Sequence, residues 1–166
     1  MELGLKLESA FADYIAGLAF PDYFIAADQV RKGETDSDIS EQYIRCMAEP
    51  QAESEYPLDT GNVWWQCTLE LRTPARDQTS DEAASSDSEE STTQLAKHRA
   101  VAAVLEAAIL IDDLADQITD AADDLGIGYE MTVMAVQDRR PSHSQDDNVY
   151  SSAWMLHVYC APTILG

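Results

Sequence analysis

Near the N-terminus, apolar residues recur in steps of three and four. Leu7, Phe11, Tyr14, Ile15 and Leu18 therefore share one face of a helix. Gly17 and Pro21 mark its end. Asp22 to Ser40 is polar and reads mostly as loop, with a short element around Tyr23 to Ala27. From Gln42 to Glu49 the period drops to two: Ile44, Cys46 and Ala48 alternate with Arg45, Met47 and Glu49. After a turn-rich stretch holding Pro50, Pro57, Asp59 and Gly61, the alternation is cleanest from Val63 to Thr73. There Trp65, Cys67, Leu69 and Leu71 point one way, and Trp64, Gln66, Thr68, Glu70 and Arg72 the other. One apolar face at period two predicts a half-buried antiparallel strand, and these two segments are expected to pair as a long-looped hairpin.

Helical spacing returns from about Thr93 to Leu110. Leu95, His98, Ala102, Leu105 and Ile109 form a stripe, thickened by Val101, Val104 and Ala108. A shorter helix is predicted over Asp112 to Leu125, with Leu114, Ile118 and Ala121 on one side and aspartates on the rest. Asp112 or Asp113 suits its N-cap, and Gly126 or Gly128 its end. Two strands follow, Tyr129 to Asp138 and Val149 to Ala161, joined by the polar loop DRRPSHSQDDN. In the last strand Trp154, Leu156, Val158 and Cys160 lie on one face, with Ser152, Met155, His157 and Tyr159 on or near the other. The order predicts one α+β domain over 1–166: an antiparallel sheet of about four strands with helices packed on one face. Residues 75–93 hold six acids and many Ser and Thr, and bury almost nothing, so they are expected to interrupt that domain as a low-complexity insert.

Charge narrows the functional classes. Thirty-one acidic residues against ten basic ones give a formal net charge of -21 over 166 residues. Direct binding to DNA phosphates needs Lys and Arg, and this balance argues against it. Cys46, Cys67 and Cys160 are widely spaced, contain no CxxC pair and fall in strands, where cysteine serves as a small buried apolar residue. No apolar run is long enough to span a bilayer, and the acidic, amphipathic N-terminus is unlike a signal peptide, so synthesis and retention in the cytoplasm are expected.

The chemistry-bearing patterns are few. The histidines, His98, His143 and His157, fall in a helix, a loop and a strand without ligand spacing, and His98 reads as a partly buried imidazole with its hydrogen bonds satisfied. The aspartate pairs at 112–113, 123–124 and 146–147 lack the calcium-loop pattern and read as solvated acidic surface. No GxSxG, HExxH, GxxxxGK[ST] or GxGxxG occurs, so no catalytic, cofactor-binding or metal-ligating residue is assigned and no cofactor is expected. Met131, Met134 and Met155 fit ordinary sheet packing. Trp64, next to inward Trp65, must face outward and requires a cover, either a helix or another subunit.

The succession resembles the tail-terminator and head–tail joining (neck) proteins of long-tailed viruses. An amphipathic helix precedes EQYIRCMAE and VWWQCTLELRTP. A polar loop then leads to HRAVAAVLEAAIL and DDLADQITDAADDL, and the hairpin YEMTVMAVQD and VYSSAWMLHVYCAP closes the chain. The resemblance implies a virion protein assembled in the host cytoplasm. It would form a hexameric ring that ends the tail tube and joins it to head-completion proteins, with DNA passing through an acidic lumen without specific binding. Trp64, Asp113, Asp116, Asp120, Arg139 and Arg140 are the candidate interface residues under that reading. The alternative is an acidic DNA mimic or antitoxin-like protein presenting carboxylates to a basic partner. A small hydrolase or isomerase using an acid pair is a third class, for which no nucleophile, base and orienter set can be assembled.

Overall fold

The computed structural model describes residues 2–33, 41–50, 63–75, 87–124, 131–145 and 149–162. In chain order these form α1 (Glu2–Ala16), α2 (Ala26–Gln29), β1 (Val30–Lys32), β2 (Tyr43–Pro50), β3 (Val63–Pro74), α3 (Asp87–Ile109), α4 (Leu114–Asp124), β4 (Met131–Gln145) and β5 (Val149–Pro162). The strands make a single sheet in the order β1-β2-β3-β5-β4. Every neighbouring pair is antiparallel except β1 and β2. The fold is α+β, as the hydrophobic pattern predicts, and both expected hairpins are present.

Period-two alternation places side chains in rows across the sheet. Ile44 lies opposite Leu71, which lies opposite Ser152, and the next row is Cys46, Leu69 and Trp154. All of these side chains are buried, and they pack with Leu7, Phe11 and Ile15 of α1, Val101, Leu105 and Ile109 of α3, and Leu114 and Ile118 of α4. Each large apolar side chain withdrawn from water in this way contributes about 1.5–3 kcal/mol. The helices therefore lie on one face of the sheet. α1 runs close to it at its first turn: a Cβ on Gly4 would sit 2.8 Å from Cζ3 of Trp65, so glycine suits that approach. The hydroxyl of Tyr14 donates to the carbonyl of Ala108 at 2.8 Å and ties α1 to α3.

Several elements differ from the sequence expectation, each for a local reason. The segment expected as loop before Ser40 contains α2 and the edge strand β1, whose Val30, Arg31 and Lys32 pair with Ile44, Arg45 and Cys46. Three residues are too few to show a period. Gly33, at a φ of 69°, ends β1 while its N–H bonds the Cys46 carbonyl. The next free donor of β2, the Ala48 N–H, is taken by Oε1 of Glu8 from α1 at 3.0 Å. The sheet edge is thus closed by a helix side chain where the short strand stops. The expected polar loop after Asp138 is instead strand as far as Gln145, because β5 supplies partners along its whole length. Register shifts between Val133 and Ala135, and between Gln137 and Arg140, break the alternation that would have announced it. α3 begins at Asp87 and so takes in the end of the expected insert; residues 76–86, Gly126 and Gly128 lie outside the described residues.

Candidate interaction site

The interior holds one chain of polar contacts that the apolar pattern alone does not explain. Oε1 of Gln29 accepts the Ile25 N–H, and Nε2 of Gln29 donates to the Gln42 carbonyl, both at 2.6 Å. Nε2 of Gln42 donates to Oγ1 of Thr73 at 2.9 Å. Oγ1 of Thr73 meets Nδ1 of His98 at 2.7 Å, and Nε2 of His98 meets Oγ of Ser152 at 2.7 Å. With the Gln42 amide donating, the Thr73 hydroxyl proton is available to Nδ1, and Nε2–H then donates to Ser152; this tautomer is inferred from the bonding pattern. The relay joins α2, β3, α3 and β5 with the residue just before β2. It fixes where α3 crosses the sheet, because a buried polar group left unsatisfied costs about 1–3 kcal/mol.

His98 thus has its hydrogen bonds satisfied, as its place on an apolar helix face predicts. Ser152 corrects the reading that set it on or near the outer face: it has the parity of Trp154, Leu156 and Val158, and is buried with them. A serine beside a histidine suggests a nucleophile and base, but here Ser152 is 2% exposed and His98 5% exposed. The third member, at Nδ1, is a neutral hydroxyl and not a carboxylate that would orient and support an imidazolium. The trio works as an internal clamp. Among the described residues no group of three or more His, Cys, Asp or Glu is placed to hold a metal ion.

The outer side of the molecule carries two surfaces of opposite character. On α4, Leu114, Ile118, Ala121 and Ala122 turn into the core, which leaves Asp113, Asp116, Gln117 and Asp120 in solvent on the side facing away from the sheet. Asp113 stands immediately before the helix, its carboxylate accepting from Nε2 of Gln117 at 3.2 Å. No Lys or Arg occurs in the sequence between Arg99 and Arg139.

On the face of the sheet opposite the helices, three half-buried arginines occupy three neighbouring strands. Arg31 of β1 is paired with Arg45 of β2, and Arg72 of β3 with Tyr43 of β2. Arg45 and Arg72 share the Glu70 carboxylate at 3.2 and 3.8 Å, Arg31 reaches Glu41 at 2.8 Å, and its guanidinium stacks 4.5 Å over the Tyr43 ring. Three guanidiniums thus meet two carboxylates, and the buried Nε of Arg45 finds no hydrogen-bond partner among the described residues. Met155 of the adjoining β5 lies on the same face, opposite Thr68, and is 38% exposed.

Of the residues expected at an interface, Asp113, Asp116 and Asp120 come together as one exposed stripe. Trp64 lies in β3 opposite Tyr159, and Arg140 lies in β4 opposite Met155, with Arg139 in the irregular step before it. The side chains of Trp64, Arg139 and Arg140 lie outside the described residues. Sequence reasoning missed Arg31, Arg45 and Arg72, since only the pairing register shows that they are neighbours. No protein-family model matches the chain, and no curated protein matches it in sequence. No helix among the described residues is long and apolar enough to cross a membrane.

Proposed function

We propose that the protein is a structural subunit of a tailed-virus neck or tail terminus, where copies form a ring that ends the tail tube and joins it to the head. The observation that carries this reading is the layered architecture: helices cover one face of the sheet, and no described helix covers the other. Among the described residues that second face holds half-buried arginines, the exposed Met155 and the fully buried Tyr43, a composition suited to contact with another protein. Apart from the added α2 and β1, the element order is the one on which the resemblance to neck and terminator proteins rests. The net charge of -21 fits a channel that DNA must traverse without adhering, because carboxylates repel phosphate.

The isolated protein is expected to be monomeric or weakly associated, since copies repel one another, and hexameric with its tube or neck partners. Imaging particles from a clean deletion tests the reading. Heads and tails that fail to join, or tails of abnormal length, are the expected result. Normal particles would refute it.

A further inference from the structure

We infer that the Thr73–His98–Ser152 relay is an acid-sensitive latch. Protonation of His98 frees the N-terminal half of α3, residues 87–97, while the rest of the helix stays on the sheet. The inference is independent of the ring reading above.

α3 is held unequally along its length. Val101, Leu105 and Ile109, its fully buried apolar anchors among the described residues, all follow His98. The Tyr14 hydroxyl ties the same half through the Ala108 carbonyl. Before His98 the ties are weaker. Gln94 is buried, Leu95 is half-buried, and the Lys97 carbonyl receives the Tyr23 hydroxyl and the Gln42 amide at 3.4 Å each. The two 2.7 Å contacts of His98 stand where the firmly anchored half of the helix begins.

A proton inverts the relay. In the neutral ring Nδ1 accepts from the Thr73 hydroxyl and Nε2–H donates to Ser152. A second ring proton turns Nδ1 into a donor that faces a donor. The Thr73 oxygen already receives the Gln42 amide at 2.9 Å, so its own hydrogen has to leave the line before Nδ1–H can point at it. The proton also brings a charge onto a buried side chain. Tyr150 of β5 faces the ring with its centroid 6.0 Å away, and the β4 position opposite Ser152 is His143, a second base. A charge at that position opposes another on His98. Lys97 lies over the Tyr23 ring, while Glu70 and Arg72 of β3 belong to the other face of the sheet.

In an opened arm the imidazole meets water and takes up a proton near about pH 6.5, as an ordinary histidine does. Below that pH the opened state binds more protons than the latched one. The contribution of the latch is therefore complete above about pH 6.5 and is lost as pH falls.

Amide hydrogen exchange of the full chain, corrected for its intrinsic pH dependence, tests the latch. Between about pH 7.5 and about pH 5.5 the opening equilibrium of residues 87–97 should rise about tenfold, and their protection fall by that factor. Residues 101–109 are expected to keep theirs. His98→Gln removes the titrating ring and should show no such fall, whereas His143→Gln should retain it. Equal protection at both pH values in the wild type overturns the proposal. So does the same fall in His98→Gln, or its disappearance in His143→Gln. If His98→Gln does not fold, nitrogen NMR of the wild-type imidazoles replaces it. Nδ1 of His98 is expected to stay unprotonated in the latched protein at about pH 5.5, and a doubly protonated ring with residues 87–97 still protected overturns the latch.

Discussion

His98 on α3 and Ser152 on β5 stand 54 positions apart in sequence, yet Nε2 and Oγ meet at 2.7 Å inside the protein. The bond fastens the longest helix to the sheet from its apolar side. With Thr73 on the other nitrogen, it turns what would be a buried polar liability into a positional constraint.

Removing that constraint has unequal consequences. His98→Ala removes one partner each from the Thr73 and Ser152 hydroxyls and opens a cavity, so a loss of about 3–4 kcal/mol is expected; Ser152→Ala removes one contact of the imidazole and should cost about 1–2 kcal/mol. Urea unfolding measures both. The double variant should lose less than the sum, and an additive result would mean that the two side chains do not interact.

Gly4→Ala tests the approach of α1 to the sheet. Alanine favours the helix by about 1 kcal/mol, but its Cβ would lie 2.8 Å from the ring of Trp65, which is itself packed against the core. Overpacking costs about 1–3 kcal/mol, so net destabilisation of up to about 2 kcal/mol is expected, together with a shifted tryptophan emission. An unchanged urea midpoint would show that the ring has room to move.

Alkaline pH should weaken the fold through Cys46. Burial, with Glu8 adding to it and Lys32 opposing it, pushes this thiol up to about 12. An unfolded thiol releases its proton near about 8.5, so between about 8.5 and 12 the folded state binds one more proton than the unfolded state. Stability therefore carries this contribution in full below that window and loses it as pH rises through it. Tyr14, raised by burial and then by Asp113, and Tyr23, raised by burial, act in the same direction at higher pH. Urea midpoints should fall between about pH 8.5 and 11, and Cys46 should react with a disulfide reagent only at the rate of unfolding. Rapid modification of native Cys46 would contradict its burial.

Salt should stabilise the folded chain. With 31 acidic and 10 basic residues, compaction crowds like charges, and raising ionic strength from about 0.01 M to about 0.15 M contracts the screening length from roughly 30 to 8 Å. The melting temperature should rise over that interval, whereas an equal osmolality of sucrose should give a different and smaller slope. A flat response would mean that the acids lie too far apart in the folded protein to repel.

The helices and strands with a sustained period could be read from residue types because burial on one side imposes that period directly. Leu7, Phe11 and Ile15 in α1, and Trp65, Cys67, Leu69 and Leu71 in β3, are buried as their spacing predicts. The aspartate stripe of α4 was legible for the same reason, its apolar side being occupied by Leu114, Ile118 and Ala121. β1 was not legible, since a three-residue edge strand derives its identity from β2 and the Glu8 and Gly33 contacts beside it. The far half of β4 was hidden by register shifts and by a polar composition typical of loops.

Sequence by itself determined the secondary elements of the core, their order, the α+β class and the excess of acid, because propensity, period and charge are local properties of the chain. Tertiary structure decided which distant polar residues meet: Gln42, Thr73, His98 and Ser152 in one buried relay, and Arg31, Arg45 and Arg72 on one face of the sheet. Such pairings depend on strand order and register, which follow from packing the whole chain at once and leave no trace in the spacing of any single segment.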